Sequence, residues 1–285
     1  MSSPNISFDN IASSIRKPGQ YFEFNTKLAV RTLPANAQKV LIVAPMLATG
    51  SLAALTATSV FSADEAAVYF GFGSVAHLMV VAAINTYAYL DLTVIGVSDA
   101  VAGQASSGTL TLTGPASSQG VVSLWVGNTR VDVAVSAADT ATVIAAAMKT
   151  AIDNQPELPV TAAVAAGVLT LTAKNKGAAG NGIRLRAQTT ASGTTTAVEA
   201  MAGGDIDPDI APALANVVAA GHNIIISPFS TQTTLTALRT HLDFVSGPME
   251  QRGAIGVAGW PGTLAAGTTL ASQLNGGRIT LGWHN

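Results

Sequence analysis

The chain has 285 residues and a formal net charge of -2; 48% of its residues are hydrophobic and only 11% are charged. With no basic excess there is nothing to attract a phosphate backbone, which argues against nucleic-acid binding, and the absence of cysteine excludes disulfides and thiol chemistry. Ordinary soluble domains carry about 25% charged residues, so this surface is expected to meet either a membrane or other protein subunits.

The sequence favours subunits. A membrane-spanning helix needs about 20 consecutive apolar residues, and the best stretch, 75–90, is interrupted by His77, Asn85 and Thr86. The opening MSSPNISFDN has no apolar core of a signal peptide, so an intracellular, assembly-prone protein is expected, and Asn5-Ile6-Ser7 has no meaning as a glycosylation acceptor.

Residues 1–36 lack a helical period and are punctuated by Pro4, Pro18-Gly19 and Pro34; they read as an extended N-terminal arm. Within it, Tyr21-Phe22-Glu23-Phe24-Asn25 sets two phenylalanines on one strand face and Glu23 with Asn25 on the other. From Lys39 the run Val40–Val43 reads as a buried parallel strand. Ser62-Ala63-Asp64-Glu65 is a capping box that opens a helix ending at Gly71. A second helix begins at Ser74, and Leu92–Val97 is another buried strand.

Between residues 101 and 204 the texture changes to small and β-branched residues with many Gly and Ser. Strands are expected at 109–113, 121–126, 130–135, 168–173 and 183–187. A helix is expected at 139–153, capped by Asp139, with Thr140, Val143, Ile144 and Ala147 on one side. Gly127-Asn128 makes a tight hairpin. This is an inserted β-rich module, α+β and sandwich-like, bounded by Gly-Ser seams. After Asp205 the α/β texture resumes: a helix opened by Pro208 and running to about Ala220, a strand at 223–226, a helix at 231–244, a strand at 254–258, a helix at 264–275 and a strand at 278–281. The expected fold is therefore α/β, with a mainly parallel sheet in a core split between 37–100 and 205–285.

Four features invite a chemical reading. Gly71, Gly73 and Ala76 in FGFGSVAHLM fit the dinucleotide pattern G-x-G-x-x-G/A, with Asp91 at the spacing of a ribose-binding acid. Here, however, the glycines follow a helix and Asp91 precedes its strand, so a helix-to-helix turn is the better reading. Asp205, Asp207 and Asp209 open like a calcium loop, but Ile210 and Asn216 stand where Gly and Glu are required; acids at a helix N-terminus explain them better. His77, His222, His241 and His284 have no partner at metal-ligand spacing. The basic loop 175–182, with Lys174, Lys176, Arg184 and Arg186 around it, could bind an anion through a backbone nest, although a solvated hairpin is the commoner arrangement. No catalytic, cofactor or metal site is expected. An α/β nucleotide-binding enzyme and an adhesive surface module are the alternatives in other functional classes.

Segments 7–32 (SFDNIASSIRKPGQYFEFNTKLAVRT), 70–79, 168–181 (VLTLTAKNKGAAGN), 203–217 (GGDIDPDIAPALANV) and 246–255 (SGPMEQRGAI) resemble the contractile tail sheath proteins of Mu-like bacteriophages. The resemblance implies a sheath-type core that polymerises with itself as stacked six-fold rings around a tail tube. It also implies baseplate and tail terminator proteins as further partners, residence in the virion tail after assembly in the host cytoplasm, and no cofactor. It makes Gly71 and Gly73 a structural turn, and Pro18, Gly19, Tyr21, Phe22, Glu23, Phe24 and Asn25 part of an arm that adds a strand to a neighbouring subunit. Family members continue beyond the final Gly-Trp-His-Asn with a further domain and arm, so the chain is expected to be the N-terminal and middle part of such a protein.

Overall fold

The computed structural model describes residues 38–87 and 89–283, together with 16, 18–20 and 22. The chain divides into two units, 1–37 and 38–285. In the first, the described residues belong to no helix or strand, and Phe22 is 79% exposed. Tyr21, Glu23, Phe24 and Asn25 lie outside the described residues, and so does the strand expected there.

In the second unit the elements run β1 (Lys39–Met46), β2 (Ala57–Ser59), α1 (Ala63–Phe70), α2 (Val75–Thr86), β3 (Asp91–Ser98), β4 (Ser107–Leu112), β5 (Gly120–Val126), β6 (Thr129–Val135) and α3 (Ala141–Asp153). They continue with β7 (Val160–Ala165), β8 (Val168–Ala173), β9 (Leu185–Thr189), β10 (Thr196–Ala202), α4 (Ala211–Val217), β11 (Ile224–Ser227), α5 (Gln232–Val245), β12 (Ile255–Trp260), α6 (Leu264–Leu274) and β13 (Ile279–Trp283).

A six-stranded sheet has the order β13-β12-β11-β1-β3-β2. All its pairings are parallel except that of β2, a short edge strand antiparallel to β3. β1 sits at the centre and sends alternate side chains to opposite layers, as strand geometry demands. Leu41 and Val43 join Ile95, Ile225, Leu235 and Leu238 on the face covered by α4, α5 and α6. Val40, Ile42 and Ala44 join Phe70, Ala76, Val80 and Val94 on the face covered by α1 and α2. Burial on both faces is why this strand is apolar throughout.

The stretch 107–202 forms two antiparallel sheets, β10-β4-β8-β7 and β6-β5-β9, around a core of its own containing Leu110, Leu124, Ile144, Met148 and Leu171. α3 packs against strands of both sheets. The hairpin at Gly127-Asn128 closes with Val126 opposite Thr129, and Gly127 supplies the positive φ of +61° that the turn requires.

Several expectations need correction. Thr140, not Asp139, caps α3; the Asp139 carboxylate instead accepts the Ser136 amide at 2.7 Å. The buried face of α3 is Ile144, Ala145, Met148 and Ile152, while Val143 is exposed. β7 and β10 were not expected, because Ala, Glu and Met favour helices; cross-strand partners in the sheet override that preference. The strand expected at 183–187 begins later, after a 3-10 turn at Ala178–Gly182. The helix expected from Pro208 begins at Ala211.

Candidate functional site

The Gly71–Ser74 turn is built first from local requirements. Ser62 caps α1 by accepting the Glu65 amide at 3.1 Å. The Glu65 carboxylate reaches one residue further back than the usual box and accepts the Phe61 amide at 3.0 Å. α1 ends where the Gly71 amide donates to Ala67 O at a φ of +88°. Ser74 Oγ then accepts the His77 amide at 3.1 Å, and His77 Nδ1 accepts the Gly73 amide at 3.2 Å. That acceptor role requires an unprotonated Nδ1, and burial of His77 lowers its pKa accordingly. The Val75 amide goes to Asn175 Oδ1 at 3.0 Å. The amides of Gly73, Val75 and His77, which a phosphate would need, are thus engaged inside the chain, and α1 rather than a strand delivers the glycines. Asp91 opens β3.

This turn lies against the β-rich part of the chain. A Cβ on Gly73, whose φ is +75°, would collide with the Leu158 carbonyl oxygen and would lie 2.7 Å from Lys174 Nζ and 2.9 Å from Pro156 O. Lys174 Nζ donates to Phe72 O at 3.2 Å and to Pro156 O at 2.7 Å, tying both sides together.

The basic loop 175–182 completes the junction. Asn175 is buried; its Nδ2 donates to Met46 O at 3.2 Å and to Asp99 Oδ1 at 3.1 Å. The amides of the loop do not converge on one point as a backbone nest would: that of Gly177 donates to Gln104 O at 2.9 Å, and its neighbours meet carboxylates of the chain itself. The Lys176 amide donates to Asp99 Oδ2 at 2.9 Å and the Ala178 amide to Asp207 Oδ1 at 2.8 Å. Burial raises the Asp99 pKa, with the hydrogen bonds from Lys176 and Asn175 opposing it.

The three acids at 205–209 do not converge. Asp205 Oδ1 accepts the Ile206 amide at 2.8 Å, Asp207 serves the loop, and only Asp209, accepting the Ala211 amide at 2.9 Å, stands at the start of α4. Among the described residues there is no group of three or more His, Asp or Glu able to hold a metal, and no helix is long and apolar enough to cross a membrane. His222 and His241 have lowered pKa values, through burial first; the charge of Lys39 lowers that of His222 further, and a charge on His222 disfavours one on His241. His284 lies outside the described residues. Sequence reasoning noticed the loop but missed Asn175 and Asp99, whose only signal was a short polar residue beside a glycine-rich turn and an acid just past a buried strand.

No protein-family model matches the chain. Over 275 residues it is 35% identical to the Mu-like prophage FluMu tail sheath protein of Haemophilus influenzae, a match covering 95% of this chain and 56% of that protein. The chain therefore spans little more than half the length of this curated relative. Among solved structures, a sheath tail protein from Listeria innocua aligns at 13% identity and a TM-score of 0.29, over 80% of this chain and 49% of its own. The D2-D3 domains of the flagellar cap protein from Escherichia coli align at 17% identity and a TM-score of 0.16, over 36% and 70%; overlaps this low carry no argument. The long sequence match does: along nearly all of its length this chain is similar to the tail sheath protein of a Mu-like prophage.

Proposed function

We propose that the chain serves as a non-enzymatic structural subunit of a contractile phage tail sheath, polymerising around the tail tube and contracting to drive it through the host envelope. The observation that carries this is the 35% identity sustained over 95% of the chain. Three parts divide the work: an arm at 1–36, a split α/β core at 37–100 and 205–285, and an inserted peripheral module at 101–204. The location of the six-stranded sheet at the two ends of the described chain, with the antiparallel sheets between them, supports that division. A metastable extended lattice stores the free energy that rearrangement releases, so contraction needs no nucleotide.

In this reading the partners are further copies in stacked six-fold rings, the tail tube, and baseplate and terminator proteins. The arm, through Pro18, Gly19 and the alternation from Tyr21 to Asn25, adds a strand to a neighbour. Negative-stain microscopy and light scattering of the chain extended by the remaining length of its relatives test this. Regular tubes or rings are expected, and replacing Phe22 and Phe24 by Ser should abolish them. A monodisperse monomer at high concentration would refute the sheath reading, and ordered tubes from the double variant would refute the role of the arm.

A further inference from the structure

The guanidinium groups at the end of the basic loop are not consumed by the junction. Trp125 on β5 stands opposite Arg130 on β6 and Arg186 on β9, so one row across the three-stranded sheet reads Arg–Trp–Arg. The Arg186 guanidinium carbon lies 4.3 Å from the indole centroid and that of Arg130 lies 5.3 Å from it. Arg130 is committed elsewhere, donating from Nε to Asp132 Oδ1 at 2.7 Å and from Nη2 to Ser123 Oγ at 3.1 Å. Arg186 on β9 and Arg184 just before it, which line one hollow, have no ion pair or side-chain hydrogen bond among the described residues. Arg130, Arg239 and Arg252 each sit beside a carboxylate. No carboxylate lines the hollow of about 580 Å³ into which Trp125, Arg184 and Arg186 project with Asn128 and Asn181.

We propose that Arg184 and Arg186, the latter braced by Trp125, form a binding site for the phosphate group of a phosphorylated sugar. Stacking on the indole face fixes a guanidinium plane while leaving its N–H edges free, and such a fork matches a phosphate bidentately. Two unneutralised cations on one face suit the near-dianionic charge of a phosphomonoester. The hollow is much larger than a phosphate, falls in the range of small-molecule sites, and offers the Asn128 amide to hydroxyl groups. The indole is already faced by guanidinium on two sides, so an uncharged sugar has no aromatic face on which to stack.

The test is an NMR titration of the 285-residue chain, following the Trp125 indole N–H resonance, assigned with Trp125→Phe. The probes are glucose 6-phosphate, glucose, inorganic phosphate and a single-stranded oligonucleotide. Glucose 6-phosphate should shift the resonance and bind at least about ten-fold more tightly than glucose, as two charge-assisted hydrogen bonds would provide. Arg184→Gln with Arg186→Gln should weaken it by a similar factor, while Arg278→Gln, an exposed arginine in the turn before β13, should not. Unchanged methyl spectra establish that each variant is folded. No shift with any phosphate probe, or a double variant that titrates like the parent, would overturn the site. Inorganic phosphate binding as tightly as the phosphosugar, or the oligonucleotide binding more tightly, would overturn the sugar as ligand.

Discussion

Gly73→Ala offers a measure of how firmly the helix-to-helix turn is pressed against the β-rich part of the chain. Two costs combine. The backbone at Gly73 has a φ of +75°, where a side chain costs roughly 1–2 kcal/mol. The new methyl would also collide with the Leu158 carbonyl and lie 2.9 Å from Pro156 O; backbone atoms cannot swing aside, and overpacking of this kind costs about 1–3 kcal/mol. The sum, about 2–5 kcal/mol, is a large share of the 5–15 kcal/mol typical of a folded domain. Gly127→Ala is the matched control, because it too has a positive φ, +61°, but a methyl there meets nothing within 4 Å, leaving only the strain of roughly 1–2 kcal/mol. Urea unfolding of both variants gives the comparison, with hydrogen exchange at Leu158 as the local readout. Gly73→Ala should lower the midpoint well beyond Gly127→Ala and speed exchange at Leu158. Equal midpoints would refute the claim that this turn is wedged against the 156–158 backbone.

Asn175→Ala removes the partner of the Val75 amide, Met46 O and Asp99 at once, so a loss of about 2–4 kcal/mol is expected, with faster exchange at Val75; a shift below 1 kcal/mol by urea titration would count against the junction. Burial lowers the pKa values of His77, His222 and His241, so the fold favours their neutral rings. Their contribution to stability is present above the unfolded value of about 6.5 and is lost as pH falls through the lower folded values. Asp99, with its raised pKa, contributes in the opposite sense, most below its unfolded value and progressively less as pH rises through its folded value. The urea midpoint should therefore drop between pH 7.5 and pH 5, and His77→Gln should flatten that drop. Excising 101–204 with a short linker should leave a cooperatively folded remainder, as circular dichroism melting can verify, since an insertion with close ends adds little closure entropy.

What was legible in the sequence follows from how local each determinant is. The helix at 63–70 and the start of α2 were readable because Ser62, Glu65, Gly71 and Ser74 act within four residues of themselves. Val40–Val43 was readable because burial on both faces leaves no polar alternation. β10 was missed because TAVEAMA has a helix-forming composition and becomes a strand only through the distant Leu110–Leu112 pairing. Asn175 was missed for a related reason: Met46, Val75 and Asp99 lie between 76 and 129 residues away from it, and no short-range pattern records such a meeting.

The low charge of the chain has a physical location. On one face of the six-stranded sheet, α5 is amphipathic: Leu235, Leu238, Leu242 and Val245 face the core, while residues such as Arg239 and Asp243 face water. On the other face, α2 (VAHLMVVAAINT) is apolar nearly all round, yet only Ala76, His77 and Val80 are buried. A helix of that kind normally lies inside a protein. Its flank, through Val75, Leu78 and Met79, borders a largely apolar hollow of about 540 Å³ at the ends of β11 and β12, where Pro228, Val257 and Pro261 continue the surface. With Val75, Leu78, Met79, Val81 and Ile84 half-buried, a monomer leaves part of this apolar surface open to water and would be prone to associate. A subunit that spends its life in a polymer has no such difficulty, and the proposed sheath supplies the reason that α5 is built for water while α2 is not.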